Sequence, residues 1–177
     1  ADDLMDPVRY VLNTRAADGV IITHIRPDDE RVQALSQSGL PFVAHGRCLS
    51  APGHAYHDFD NRAFCEMAAR RLIARGRRRL ALLSPPSEFS YYQETLAGLA
   101  AVAEAEAVPF QVLGGIDLDS SSEVLRQAGM ALRYQDYVPD GVICGSELCA
   151  MALIDGMIQS GMDVGRDIDV IAKETSD

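Results

Sequence analysis

Apolar runs and amphipathic stretches alternate along this chain in a pattern that predicts its class of fold. Residues 19–23 (Gly-Val-Ile-Ile-Thr) form a β-branched run behind Asp18 and read as a buried strand. Residues 27–38 turn helical: Pro27 suits a first helical position, Asp28, Asp29 and Glu30 suit a helix N-terminus, Val32 and Leu35 supply the apolar stripe, and Gly39 stops it. Residues 40–44 read as a second strand, 46–55 as a loop rich in turn residues, and 55–59 as a short strand. Asp60 or Asn61 then caps a helix running to Arg75, with Phe64, Met67, Ala68 and Leu72 on one face and Gly76 as its stop.

Beyond Gly76 the alternation continues, with strands at 80–83, 110–113, 141–144 and 168–172 and helices at 91–107, 120–134 and 147–160. Strands separated by helices of this length build βαβ units, so the expected class is α/β with parallel sheets and helices on both faces. Two clear strands and a third precede Gly76 and four follow it, which suits two lobes, 1–76 and 77–177. Open sheets of this kind bind ligands outside the carboxyl ends of their strands. That rule gathers Thr23-His24, His45-Gly46-Arg47, residues 84–91, residues 115–118, Gly145-Ser146-Glu147 and Lys173-Glu174.

Charge and cysteine usage narrow the function. A net charge of −10 repels phosphate backbones, so no broad face of this chain is expected to grip nucleic acid. The one basic cluster (Arg70, Arg71, Arg75, Arg77, Arg78 and Arg79) lacks interleaved aromatics and reads as a solvated helix end complementing the dipole. Cys48, Cys65, Cys144 and Cys149 form no CxxC and have no His at ligand spacing, which suits neutral thiols in a reducing cytosol. No run approaches the ~18 apolar residues of a membrane span. No signal peptide opens the chain, and its Ala-Asp-Asp start reads as an interior cut; the expected location is the cytoplasm. GxSxG, HExxH, P-loop and GxGxxG motifs are absent, and His54 and His57 beside Asp58 and Asp60 have no partner cluster. No catalytic residue, metal or cofactor is expected.

Several segments, in order, resemble the effector domain of LacI/GalR-type transcriptional regulators. Asp18-Gly19-Val20-Ile21-Ile22 is similar to that family's "DGiIl", Gly39-Leu40-Pro41-Phe42-Val43 to its "giPvV" with Arg47 as the basic residue beyond, and Asp60-Asn61 with Leu72 and Gly76 to "Dn…L…G". Arg79-Leu80-Ala81-Leu82-Leu83 is like the strand that follows, Gly98-Leu99 like "Gf", residues 139–144 like "pdai.c", and residues 161–171 like "G..vp.di.vig". The resemblance implies a two-lobed periplasmic-binding-protein-like fold with doubly wound parallel sheets and a ligand cleft between the lobes. It further implies a homodimer that reaches operator DNA through a head domain absent from this chain, no membrane partner, and a first βαβ unit and last elements also absent. The chain departs from the family pattern at Thr95, where Arg is usual, at Ser146-Glu147, where "nD" is usual, and at Glu174, where Asp is usual, with Lys173 before it.

Candidate effector-binding residues are Thr23, His24, Asp60, Phe89, Tyr91, Thr95, Ser146 and Glu174. A carboxylate such as Glu174 takes two hydroxyl hydrogen bonds, which suits a polyol; the alternative is a surface Glu near a chain end. Ser146 could touch ligand, cap the next helix, or do both, while Glu147 suits the helix start. Phe89 and Tyr91 offer stacking faces, and Thr95 shares a helical face with Tyr91. His24 could equally be a satisfied structural group, and Asp60 a helix cap. The effector expected is a sugar or polyol sensed without chemistry, modulating operator binding as in a repressor. An extracytoplasmic solute-binding protein of a transporter shares the architecture. A small α/β enzyme would need a nucleophile or acid–base pair at the strand ends.

Overall fold

A computed structural model describes residues 3–174. By internal packing the chain forms two compact units. The first holds everything before Asp60 together with Glu88–Tyr91, and the second holds Asp60–Ser87 and the residues from Tyr92 onward. The changeover at Phe59 assigns the helix that follows to the second unit, whereas the sequence suggested a division at Gly76.

The first unit opens with a helix that periodicity did not reveal, α1 (Asp6–Thr14), in which Val8 is the one buried residue. β1 (Val20–Ile22), α2 (Glu30–Ser38), β2 (Phe42–His45) and β3 (Tyr56–His57) follow. The strands are parallel in the order β1-β2-β3, with Val20 opposite Phe42 and Ala44 opposite Tyr56. Ile22 and Ala44 pack with Val32 and Leu35 of α2 and Val8 of α1. On the alternate face Ile21 is 78% exposed and Val43 is exposed too. The strand expected to be buried is therefore buried on one side, because helices cover one face of this sheet among the described residues.

α2 begins at Glu30 rather than at Pro27. Asp29 caps it, accepting from the backbone N–H of Arg31 at 3.0 Å. The Pro27 carbonyl is instead spent on the N–H groups of Leu49 and Ser50. Asp29 also takes the Arg31 guanidinium at 2.7 Å, and the same guanidinium donates to the carbonyls of Thr23 and His24. Burial alone would raise the Asp29 carboxyl, but the hydrogen bonds from Arg31 and Arg26 outweigh it and hold it below its ordinary value. This buried pair pins the carboxyl end of β1 to the start of α2.

The second unit contains α3 (Asn61–Ala74), β4 (Leu80–Leu83), most of α4 (Ser90–Ala105), β5 (Phe110–Val112), α5 (Ser122–Leu132), β6 (Gly141–Cys144), α6 (Glu147–Gln159) and β7 (Asp169–Ala172). All four strands are parallel, in the order β5-β4-β6-β7. β4 and β6 are buried throughout, because both faces are covered. Ala81, Leu83, Val142 and Cys144 pack with Leu125 and Leu132 of α5 and Leu153 and Met157 of α6. Leu80, Leu82 and Ile143 pack with Leu72 of α3 and Leu99 and Val102 of α4. α3 buries Cys65, Ala68, Ala69 and Leu72; Met67, expected on that face, is 66% exposed. Positions 65, 68, 69 and 72 follow the helical repeat, and position 67 falls outside it.

α5 and α6 approach to backbone contact. A Cβ on Gly129 would meet the Leu153 carbonyl oxygen, and one on Gly156 the Arg126 carbonyl oxygen, both well inside contact distance. At the amino ends of the strands, Asp169 takes Nε of Arg75 and Nε of Arg77, each at 2.8 Å. Arg77 also donates to the carbonyls of Gly165 and Arg166, and Asp140 takes the N–H groups of Arg78 and Arg79. The basic cluster read as a solvated helix end is thus partly consumed in tying α3 and β4 to β6 and β7.

Two outcomes follow from this packing. Gly156→Ala should cost about 2–3 kcal/mol in urea unfolding, since backbone must move apart, while Gly114→Ala, with open space around it, should be near neutral. For Asp169, the two arginines hold the folded carboxyl well below its ordinary value, so its contribution is complete above the unfolded value near ~4 and fades as pH falls through the folded one. Asp169→Asn should therefore lower unfolding free energy by about 1–3 kcal/mol at neutral pH. The gap should narrow steadily in acid below about pH 4.

Candidate functional site

In the first unit the carboxyl end of β1 delivers Thr23 and His24. His24 sits in the left-handed region at φ 56, and its Nδ1 lies 3.0 Å from the Thr23 hydroxyl, close enough to share a hydrogen bond. Its ring meets the edge of Phe89 with centroids 5.2 Å apart. Phe89 stacks in turn on Tyr91, at 6.0 Å and nearly parallel. Between them Ser90 donates both its N–H and its hydroxyl to the Ile25 carbonyl, each at 2.9 Å. That pair of hydrogen bonds explains why residues 88–91 belong to the first unit although α4 begins there. Thr23, His24, Phe89 and Tyr91, named as candidates from sequence, thus form one aromatic and hydroxyl cluster.

A second aromatic group lies at the carboxyl ends of β2 and β3. His45 and His57 are partners across the ladder, 6.3 Å between centroids, and Phe59 lies about as close to each. The strand-end rule reached His45, but nothing in the local pattern singled out Phe59. His54 is separate: its Nδ1 contacts the Ala51 carbonyl at 2.6 Å and its ring stacks on Phe42. Among the described residues no group of three or more His, Cys, Asp or Glu could hold a metal ion.

In the second unit the chain moves from β4 to β5 on one side and then crosses to β6 on the other. The switch point therefore lies where the carboxyl ends of β4 and β6 meet, the place in an open parallel sheet where the connecting loops diverge and leave a crevice. Ser84 follows β4 and is buried; Gly145 and Ser146 follow β6. Leu118 spans the point, donating its N–H to the Ser84 carbonyl and accepting from the Cys149 thiol. Ser146 accepts from the Cys149 N–H and caps α6, with Glu147 in the first turn, as the helix-start readings had it. Asp60 caps α3, accepting from the Ala63 N–H at 2.8 Å. Thr95 is 4% exposed within α4, and Glu174 stands exposed past β7.

Sequence reasoning missed one contact here. Lys173 Nζ donates to Asn61 Oδ1 at 3.0 Å, joining the end of β7 to the start of α3. The partners are far apart in the chain, so no spacing rule could have paired them. Asn61 is buried, as is Cys65 one turn further along α3. Burial pushes the Cys65 thiol up to about 12, against the opposing pull of Lys173. Burial likewise raises Cys144 to about 12, its thiol donating to the Ser146 carbonyl.

Parallel sheets with helices starting beside their carboxyl ends make this an α/β domain of the class whose ligands bind at strand ends. The chain belongs to the family of periplasmic binding proteins and sugar binding domains of the LacI family, whose model matches residues 2–173. It is 29% identical over 169 residues to the HTH-type transcriptional regulator AglR of Rhizobium meliloti, covering 89% of this chain and 44% of that protein. It is also 29% identical over 167 residues to the HTH-type transcriptional regulator CelR of Thermobifida fusca, covering 90% and 47%. Among solved structures, a transcriptional regulator CelR–cellobiose complex superposes with a TM-score of 0.76 at 25% identity, over 94% of this chain and 52% of that one. The chain spans less than half the length of these curated relatives, which are transcriptional regulators and not enzymes.

The thiols offer a check on this geometry. A thiolate is the reactive form, so a raised thiol in a buried setting is inert. With native protein at pH 8, DTNB should leave Cys65 and Cys144 unmodified and label Cys149 first, the one cysteine that is not buried. Mass mapping that found Cys65 labelled without denaturant would contradict the packing around Lys173.

Proposed function

We propose that this chain is the effector-sensing domain of a LacI-type transcriptional regulator, and that its effector is a sugar or related polyol. The observation that carries the reading is the family match along nearly the whole chain, joined to strand ends stocked with hydrogen-bonding and stacking groups. Sugars present hydroxyls all round and apolar C–H faces, so they bind through carboxylates, amides and hydroxyls with aromatic rings beneath. Within the first unit Thr23, His24, Phe89 and Tyr91 offer rings and hydroxyls; within the second, taken by itself, Asp60, Thr95, Ser146 and Glu174 are the candidate polar groups. The cellobiose bound to a structural relative supports the ligand class. Asp60 and Ser146 would serve ligand and helix cap together.

The sensor works by population shift: a ligand that binds one state better moves the equilibrium toward it, and the coupled change in operator affinity is the output. Operator contact would come from a head domain outside this chain, in a cytoplasmic homodimer. Exposed Leu148, Met151 and Ile158 on α6 offer an apolar stripe that a second copy could cover. A transporter-linked solute-binding protein would share the fold, but the relatives named above are regulators. No helix among the described residues is long and apolar enough to cross a membrane.

A thermal-shift screen with cellobiose, maltose, sugar phosphates and nucleosides tests the ligand class. A sugar binding the folded state alone stabilises it by about 2.7 kcal/mol at a hundred times its dissociation constant. That shift should shrink in Glu174→Ala, and the sugar should be recovered unchanged. A shift with nucleosides alone would sink the sugar reading, and turnover of any compound would sink the sensor reading. The intact regulator should then change its gel-shift affinity for DNA upstream of its gene when that sugar is added.

A further inference from the structure

Just past β1 the backbone adopts a conformation that its residue type disfavours. Among the described residues, those other than glycine with positive φ are Arg15, His24 and Ala107. Arg15 caps α1 and Ala107 lies in the turn after α4, and helix ends routinely turn left-handed. His24, at φ 56, follows a strand and has no such reason. A single nitrogen of Arg31 supplies one. Its Nη2 donates to the Thr23 carbonyl at 3.1 Å and to the His24 carbonyl at 2.9 Å. Those carbonyls belong to the two peptide planes on either side of the His24 Cα, so holding both sets φ and ψ there. The guanidinium is itself held by Asp29, with Nε on Oδ1 at 3.0 Å and Nη2 on Oδ2 at 2.7 Å, and both side chains are nearly buried. A buried ion pair adds little net stability over apolar residues of the same shape, so stability is a poor account of this one. What an apolar pair could not do is orient two carbonyls. The next carbonyl, of Ile25, accepts from Ser90, which sets Phe89 against the His24 ring. The exposed Thr23 hydroxyl and His24 imidazole, 3.0 Å apart, therefore stand on a backbone held at three consecutive carbonyls.

We propose that Arg31, held by Asp29, is a positioning residue of the effector site: it keeps His24 left-handed, so that the Thr23 hydroxyl and His24 imidazole are aimed at a sugar hydroxyl before the sugar arrives. The inference rests on the sugar-sensor reading and adds to it the group that pre-organises its contacts in the first unit. Arg31 does not touch the sugar. Without such support the left-handed state is disfavoured roughly tenfold for an L-residue, and affinity falls with the fraction of protein competent to bind.

The test is calorimetric titration of the intact protein with cellobiose and with maltose. Wild type should bind one of them. Arg31→Lys keeps a cation on Asp29 but cannot span the carboxylate and two carbonyls, and it should bind that sugar about tenfold more weakly. The neutral pair Asp29→Asn with Arg31→Gln, which leaves no buried charge alone, should show the same loss. Glycine adopts positive φ without strain, so His24→Gly removes both the ring to be aimed and the conformation to be held. In that background Arg31→Lys should weaken binding by less than about twofold. A structural role elsewhere in the unit would give the same loss in both backgrounds, and that result would overturn the positioning role. Unaltered affinity in Arg31→Lys would overturn it too and leave the sugar sensor standing. No binding of either sugar to wild type would overturn sugar sensing and the proposal together.

Discussion

Parallel strand pairing is the constraint from which most of this structure follows. A parallel pair cannot be closed by a tight turn, so each strand must return through a crossover. In the second unit those crossovers are α4, α5 and α6, and they cover both faces of β5-β4-β6-β7. Burial on both faces explains why β4 and β6 are unbroken apolar runs. Parallel pairing also sorts chemistry by end. All carboxyl ends gather at one edge of a sheet and all amino ends at the other, so one edge can be locked while the other stays available.

The two edges of the second sheet carry different kinds of contact. At the amino edge Asp169 holds Arg75 and Arg77, and Asp140 holds the backbone of Arg78 and Arg79. These contacts join α3 and β4 to β6 and β7, and the edge is structural. Below it α5 and α6 touch at Gly129 and Gly156, which removes slack from the layer supporting β6 and the start of α6. At the carboxyl edge the polar groups are different in kind: Ser146 caps α6, Asp60 caps α3, and Lys173 rests on Asn61. A rigid support under such groups is what a binding site needs, because hydrogen bonds lose their value within a few tenths of an ångström. In the first unit the same task falls to Arg31, which grips the carbonyls of Thr23 and His24 while paired to Asp29.

The legibility of these features tracks their sequence range. β6 was readable to the residue because residues 141–144 are an apolar run closed by Pro139-Asp140 before and Gly145-Ser146 after. The caps at Asp60 and Ser146 were readable because capping is a contact three residues long. α1 was not: one buried position makes no stripe. The start of α2 was misplaced by three residues because the Pro27 carbonyl is claimed by Leu49 and Ser50, a loop contact that no helix signal contains. Met67 was assigned to the buried face of α3 because it is apolar, although the packed positions are 65, 68, 69 and 72.

By itself, the sequence determined the α/β class, the order of strands and helices from Gly19 onward, the caps and stops, and the family likeness, since each rests on patterns within a few tens of residues. It also determined that Thr23, His24, Ser146 and Glu174 lie at strand ends. Tertiary structure alone decided which groups meet: His24 with Phe89, Asp169 with Arg75 and Arg77, Lys173 with Asn61. Those pairings join segments that only the sheets bring together. Their geometry depends on register and crossover, which are set by packing over the whole unit and leave no periodic trace along the chain.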